Sequence, residues 1–285
     1  MLGSLLKQWG IGPKWRPLVT YCLLIAIALG IYTPLARFCR QQTGHFSVMR
    51  LYPDLKLCGQ GKTESVLSSE ELDQIFSQPF RYLESGGQSF AFISADERYV
   101  LKLFKQYLFV PRSLLFCIPL PSSLHERRER MQNKLRLKTS QAYTGYELAY
   151  AKAREETGLL CIHLKEHPQF NYEVELTDKL GIHHRIRLNH TAFVLQHKAE
   201  PLLIRLQTLS KQELTSSIQQ TLDLLHILAE KGLIDQDRGL HRNIGFIDNQ
   251  AILFDVGQLI ESHSCLHKNL AEAENTLLRK AHFSP

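Results

Sequence analysis

The longest apolar stretch of the chain covers residues 18–36 and contains no charged side chain. At about 1.5 Å per helical residue it spans roughly 30 Å, the thickness of the hydrocarbon core of a bilayer. Trp15 and basic residues lie before it, and Arg37 and Arg40 follow it, as is typical of membrane interfaces. A cleaved signal peptide or a buried helix is the alternative, but no small-x-small cleavage site follows the run. We therefore expect residues 1–40 to form an anchor with a retained single span.

Residues 41–76 form a polar connector that ends in a short predicted helix. Ser68-Ser69-Glu70-Glu71 provides an N-cap and an acidic first turn, and apolar residues follow at positions 72, 75 and 76.

Three strands are predicted next, around Phe80–Leu83, Phe90–Ser94 and Tyr99–Phe104. A turn containing Gly86 and Gly87 joins the first two strands. Because side chains alternate along a strand, Lys102 shares one face with its apolar neighbours at positions 100 and 104. A lone buried ammonium is costly, so we expect Lys102 to have an anionic partner or ligand; a solvated strand lysine is the alternative.

Residues 106–138 are interpreted as an insertion. Its first half is apolar and broken by prolines, and its second half carries six basic and two acidic residues, an excess of +4. This composition fits either an anionic membrane surface or a solvated helix packed against its own domain. Nucleic-acid binding is disfavoured because no aromatic residues are interleaved with the charges.

The remaining pattern alternates between helices and strands. A helix is predicted over Thr144–Glu156, and another runs from Ser210 to about Lys231, where Gly232 ends it. Strands are predicted between these helices, at residues 172–177, 182–188 and 191–197.

A cluster of oxygen-bearing side chains follows the second helix. Asp235, Asp237 and Asn243 lie in one loop, and Asp255 follows a strand that is predicted after a turn at residues 248–249. Carboxylate and amide oxygens are hard ligands that suit Mg²⁺ when phosphates of a substrate complete its coordination.

The order of these parts resembles the protein-kinase-like fold, as an atypical, divergent, bacterial-type member. The matching pieces, spread over residues 80–262, are Gly86-Gly87, Lys102, Glu147, the segment Leu195–Glu200, Asp237 with Asn243, and Asp255-Val256-Gly257. The resemblance implies an α+β, two-lobed fold with an N-lobe at 77–200 and a shortened helical C-lobe at 201–285.

The resemblance also implies a role for each matching residue. Gly86, Gly87 and Lys102 would contact ATP. Glu147 would hold Lys102. Gln196 and His197 would lie in the hinge beside the nucleotide. Asn243 and Asp255 would hold Mg²⁺. Asp237 would orient the acceptor hydroxyl and accept its proton, with Asp235 as the fallback base.

Several features depart from the family pattern. The glycines are adjacent, Asp235-Gln236-Asp237 replaces His-Arg-Asp, and five residues instead of four separate Asp237 from Asn243. An Ala-Pro-Glu segment is absent, so docking of a protein substrate is disfavoured relative to a small-molecule or lipid-linked hydroxyl acceptor. The expected function is a membrane-anchored phosphotransferase. A pseudokinase that acts as a binding module at the membrane, or a structural membrane protein with chance matches, is the alternative.

Composition adds two constraints. With 44% hydrophobic and 22% charged residues the chain is globular, and its net charge of +6 is concentrated in the basic half of the insertion. The six cysteines form no zinc or disulfide pattern, which favours a reduced compartment. Basic residues on the two sides of the apolar run are balanced, so charge leaves the orientation open; a working ATP-dependent enzyme would place the main domain in the cytoplasm.

Overall fold

The computed structural model describes residues 16–48, 51, 61–105, 122–167, 170–209, 211–237 and 239–262. The chain divides into two compact units, Met1–Phe46 and Ser47–Pro285. The apolar half of the predicted insertion, residues 106–121, and the end of the predicted C-lobe, residues 263–285, lie outside the described residues.

The first unit contains one long helix, α1 (Arg16–Gln42). It continues past position 36, where the uncharged run ends, because the polar residues that follow are compatible with a helix. Within the described parts of the chain, it is the one helix that is long and apolar enough to cross a membrane, with a mean hydropathy of 2.0 over its apolar part. Large apolar side chains along it, such as Leu24 and Ile31, are exposed.

The second unit has a mixed α/β fold. Its helices are α2 (Ser69–Phe76), α3 (Ser122–Lys152), α4 (Arg154–Thr157), α5 (Leu202–Thr208), α6 (Lys211–Glu230) and α7 (Leu240–Asn243). Its strands are β1 (Thr63–Ser65), β2 (Phe80–Ser85), β3 (Ser89–Ser94), β4 (Tyr99–Phe104), β5 (Leu159–His163), β6 (Glu173–Thr177), β7 (His183–Arg187), β8 (Phe193–His197), β9 (Glu200–Pro201), β10 (Leu233–Asp235), β11 (Ile244–Ile247), β12 (Gln250–Leu253) and β13 (Leu259–Glu261).

The main sheet has eight strands in the order β1-β5-β8-β4-β3-β2-β6-β7. The predicted meander β2-β3-β4 is confirmed, and β4 lies between β3 and β8 with antiparallel pairing on both sides. Lys102 is paired in register with Ala91 on one neighbour and Val194 on the other. A lysine in the middle of a sheet is therefore surrounded by backbone and apolar side chains.

Two predicted helices are confirmed in detail. Helix α2 begins after Ser68, whose hydroxyl accepts a hydrogen bond from the amide of Glu71, while the Glu71 carboxylate accepts one from the amide of Ser68. This is a reciprocal capping box. Helix α6 ends before Gly232, which adopts a φ of +72° that suits glycine at a helix C-terminus.

The predicted start of helix α3 at Thr144 is wrong, because the helix begins at Ser122. No proline or glycine interrupts the sequence from Ser122 to Thr144, so nothing in the basic half of the predicted insertion breaks a helix. The two halves of α3 differ in burial. Ala142, Tyr146 and Ala149 are buried in the core, whereas the part before residue 142 is largely exposed.

The C-terminal part of the second unit forms two small sheets. One pairs β10 with β13, and the other has the order β12-β11-β9. Apolar side chains from the main sheet, α3, α6 and these strands form one core, including Phe104, Tyr146, Val194, Leu225 and Phe246. This shared core fixes the end of β12, and with it Asp255, relative to β4 and α3.

Candidate functional site

The glycine turn between β2 and β3 is held by a lysine that the sequence did not single out. The Nζ atom of Lys105 donates to Ser85 Oγ at 2.8 Å and also to the carbonyl oxygen of Gly86. The amide of Lys105 donates to the carbonyl oxygen of Gln88 at 2.8 Å. Lys105 is buried, so these contacts fix the turn to the end of β4.

Lys102 is 6% exposed and reaches the segment that follows β12. Its Nζ atom donates to the carbonyl oxygen of Phe254 at 2.7 Å. Burial lowers the pKa of Lys102 below its ordinary value, while the carboxylates of Asp255 and Glu84 oppose that shift. Among the described residues Lys102 thus binds a backbone carbonyl, and the carboxylates of Asp255 and Glu84 act on it through their charge without a direct ion pair.

Asn243 joins the two carboxylates of the acidic loop. Its Nδ2 group donates to Asp235 Oδ2 at 3.0 Å and to Asp237 Oδ2 at 3.3 Å. Because ionised carboxylates only accept hydrogen bonds, the amide must turn its NH₂ group towards them. Within the described residues no hydrogen bond occupies the Oδ1 atom of Asn243, which can act as an acceptor or metal ligand.

Asp235 is a partly buried carboxylate of the acidic loop. Burial raises the pKa of Asp235 to about 6, although hydrogen bonds from the Asn243 side chain and the Asp237 amide lower it in part. The charges of Asp237 and Asp255 raise it further. Asp235 therefore titrates at a pH of about 6. The second loop carboxylate, Asp237, also accepts a hydrogen bond from the amide of Gly239 at 2.8 Å.

Helix α3 lies very close to the Asp255-Val256-Gly257 segment. A side chain at Gly145 would collide with the carbonyl oxygen of Val256, so only glycine permits this approach. The next residue, Tyr146, is 2% exposed and packs edge-on against Phe104. Burial and the Asp255 carboxylate raise the pKa of Tyr146 well above its ordinary value, so its hydroxyl stays a donor.

These groups surround a cavity of about 170 Å³. Its walls come from the glycine turn, α3, the acidic loop and the segment after β12: Gly86, Gly87, Gln88, Ser89, Tyr146, Asp237, Asn243, Asp255, Gly257 and Gln258. Residues far apart in the sequence thus meet at one cleft that contains both glycine backbone and carboxylate oxygens.

Most of the residues predicted for the site lie at this cleft. Gly86, Gly87, Asp237, Asn243 and Asp255 line it, and Lys102 is bound to its edge through Phe254.

The other predicted residues lie elsewhere. Glu147 is half-buried, and among the described residues no ion pair joins it to Lys102. Gln196 is 2% exposed, and its Oε1 atom has no hydrogen-bond partner in the described part of the chain. The ring of His197 stacks on Tyr99 at 5.8 Å, and burial together with Arg98 lowers the pKa of His197.

Sequence reasoning missed Tyr146, Gln88, Gly145 and Lys105. The signal for Tyr146 was present: it shares the apolar stripe of α3 with Ala142, Ala149 and Tyr150, whereas Glu147 lies one position off that stripe. The other three depend on contacts across the fold and have no local pattern.

The cleft has the donors that a magnesium ion and phosphates require. The Asp255 carboxylate and the free Asn243 Oδ1 are hard oxygen ligands, and the glycine turn exposes backbone near them. Among the described residues, no cluster of three or more His, Cys, Asp or Glu residues is suited to a metal on its own. A site of this kind needs oxygen atoms from a bound phosphate to complete the coordination.

Neither a protein family nor a curated protein matches the chain. Among solved structures, one of WbdD with the kinase inhibitor LY294002 shares 14% identity with the chain at a TM-score of 0.40, covering 72% of this chain and 38% of WbdD. The bifunctional kinase-methyltransferase WbdD, in a second structure, shares 14% identity at a TM-score of 0.33 and covers 65% of this chain. The chain thus spans little more than a third of these proteins.

Proposed function

We propose that the second unit is a kinase-like phosphotransferase of the α+β, two-lobed type, which moves the γ-phosphate of ATP to a hydroxyl acceptor. The observation that supports this proposal is the cleft itself. The glycine turn, Asp237, Asn243 and Asp255 meet there, and Lys102 binds the carbonyl oxygen of Phe254, the residue before Asp255.

Each residue has a role that follows from its chemistry. The backbone of Gly86 and Gly87 would approach the phosphates closely because neither residue has a side chain. Lys102 would supply positive charge to the α- and β-phosphates when its bond to the Phe254 carbonyl opens. Tyr146 lines the cleft, and its hydroxyl would donate to a phosphate oxygen.

Asp255 and Asn243 would hold Mg²⁺, which supplies charge neutralisation at the phosphates. Asp237 would orient the acceptor hydroxyl and take its proton. In the transfer, a bond forms between the acceptor oxygen and the γ-phosphorus, and the bond between that phosphorus and the β–γ bridging oxygen breaks. ADP leaves with that bridging oxygen. Positioning and electrostatic stabilisation supply most of the rate enhancement in reactions of this type.

A second candidate function, a nucleotide-binding module without catalysis, is favoured by two specific contacts. Both oxygens of Asp237 already accept hydrogen bonds, from Gly239 and Asn243. Lys102 is bound to the Phe254 carbonyl instead of to Glu147. Nucleotide binding alone leaves the contacts of Asp237 in place, whereas phosphoryl transfer also needs Asp237 to take a proton on a remaining lone pair and Lys102 to leave the Phe254 carbonyl.

The location of the protein is part of the proposal. Helix α1 is long and apolar enough to span a membrane, and we infer that it is a single-pass anchor. ATP is the substrate of the proposed reaction, so the second unit would face the cytoplasm. The acceptor would be a small or lipid-linked alcohol.

ADP release by the full-length protein in detergent separates the two functions. We expect magnesium-dependent turnover in the wild type and at least a 100-fold loss for Asp237→Asn, in line with the loss of a general base. Asp223→Asn makes the same chemical change at an exposed site on α6 and should leave the rate unchanged. Binding of Mg-ATP without any turnover would favour the binding module, and the absence of both would contradict the proposal.

A further inference from the structure

The first half of α3 is a basic helical segment that does not contribute to the core. We call residues 124–140 the basic arm. The side chains described in it are exposed or half-exposed, whereas the core-facing stripe of the same helix begins at Ala142. The described side chains of this segment therefore contribute little to packing within their own domain. The basic arm is thus available to a partner.

Charge is unevenly distributed around the basic arm. Residues three, four and seven positions apart lie on one face of a helix. One face, called here the cationic face, carries Leu124, Arg127, Arg128, Met131, Lys134 and Lys138 and contains no acidic residue. The opposite face carries Glu126, Glu129, Arg130, Asn133, Leu137 and Ser140.

The opposite face neutralises itself in part. Arg130 pairs with Glu126 at 3.9 Å, and His125 lies 3.6 Å from Glu129. The four basic residues of the cationic face have no acidic residue on their own face. The positive charge that the composition shows for the whole chain is therefore directed to one side of one helix.

We propose that the cationic face binds the surface of a bilayer that contains anionic lipids. The charges alone would suit any polyanion, but Leu124 and Met131 on the same face are 47% and 55% exposed. Apolar side chains flanked by Arg and Lys are typical of helices that lie in the membrane interface, where the basic groups reach the headgroups. Nucleic acid offers no comparable place for them. The same chain also contains α1, which is long and apolar enough to cross a membrane.

The inference is independent of the proposed phosphotransfer and is tested without ATP. Full-length protein is placed in nanodiscs of phosphatidylcholine alone or with about 30% phosphatidylglycerol, and amide hydrogen exchange is measured along the chain. We expect exchange of residues 124–138 to slow about threefold or more in the anionic discs, because lipid contact protects a surface helix from opening. Exchange in β4 serves as the internal reference and should be the same in both discs.

Two sets of substitutions with the same net charge locate the effect. R127Q/R128Q/K134Q/K138Q removes four positive charges from the cationic face and should abolish the lipid-dependent protection. R130Q/N133E/L137E/S140E changes the net charge by the same amount on the opposite face, and this variant should retain the lipid-dependent protection. L124Q/M131Q keeps every charge and should lose much of the protection.

Three results would overturn the inference. Equal exchange in the two kinds of disc would show that the basic arm does not bind anionic lipid. Equal loss of protection in both charge-matched variants would show that the response depends on net charge and not on the cationic face. Protection by added RNA, with none from anionic lipid, would identify nucleic acid as the partner.

Discussion

At the scale of single residues, the candidate site brings several charges together in a small buried volume. Lys102, Asp235 and Asp255 influence one another, and burial shifts the lysine and the Asp235 carboxyl towards their neutral forms. An arrangement of this kind gains most from a ligand that brings both a cation and phosphate oxygens. The site therefore depends on charge balance more than on any single hydrogen bond.

Asp235→Asn should change how stability depends on pH. The pKa of this carboxyl is about 6 in the folded protein against an ordinary value of 3.8, so the folded state binds the extra proton. The contribution of Asp235 to stability is therefore full below about pH 4 and falls as the pH rises through 6, by roughly 3 kcal/mol. An Asn cannot ionise and loses nothing over that interval.

Urea unfolding at several pH values tests this prediction. Between pH 4 and pH 7 the free energy of unfolding of Asp235→Asn should increase relative to that of wild type, so that the variant becomes the more stable of the two. Asp223→Asn, at an exposed position, provides the control and should run parallel to wild type. A parallel course for Asp235→Asn as well would contradict the assigned pKa.

At the scale of secondary-structure elements, α3 packs so closely against the Asp255-Val256-Gly257 segment that one position of the helix has no room for a side chain. Gly145 allows the helix backbone to approach the Val256 carbonyl, and this approach places Tyr146 in the cleft beside Asp255. Glycine in a helix interior costs about 1 kcal/mol relative to alanine. Its presence here is explained by close packing.

Gly145→Ala should therefore destabilise the protein by about 2 kcal/mol or more, despite the better helix propensity of alanine. The added methyl group would force the helix away from Val256. Thr144→Ala, at the exposed neighbouring position, should change stability by no more than about 0.5 kcal/mol. Chemical denaturation of the three proteins measures the difference. A Gly145→Ala protein as stable as wild type would show that the helix does not pack this closely.

The elements were predictable wherever one local pattern determined them. Ser68 and Glu71 gave the start of α2, alternation gave β2, β3 and β4, and Gly232 marked the end of α6. The start of α3 was missed because a charged, exposed helix lacks the apolar periodicity by which helices are recognised. Glu147 was expected to reach Lys102, but the stripe of α3 that packs on the core passes through Tyr146 instead.

At the scale of the whole molecule, the chain contains two units with different surfaces. The first unit consists largely of the apolar helix α1, and the second contains a single core that joins the main sheet to the C-terminal strands. The net charge of +6 is concentrated on the basic arm of α3 within the second unit. Composition alone showed the excess but not that it occupies one face of a helix.

The convergence of the site could be predicted only in part. The types and order of Gly86, Lys102, Asp237 and Asp255 were visible in the sequence. The structure brings Gly86, Asp237 and Asp255 to one cleft and bonds Lys102 to the Phe254 carbonyl beside it. Lys105 contacts the glycine turn, which lies two strands earlier in the chain. The contacts of Asn243 with two carboxylates depend on how its amide group is oriented. Such contacts are determined by tertiary packing, so no spacing in the sequence indicated them.

The central claim is that this cleft binds nucleotide with magnesium. The most direct measurement is the thermal stability of the full-length protein in detergent with Mg-ATP, compared with ATP and a chelator. At about 100 times the dissociation constant, binding should stabilise the wild type by about 2.7 kcal/mol. Lys102→Met should lose most of this gain, and Asp255→Asn should lose its dependence on magnesium. Asp248→Asn, the same change as Asp255→Asn at an exposed turn, should behave as wild type. No stabilisation of the wild type, or equal stabilisation of all four proteins, would contradict the account.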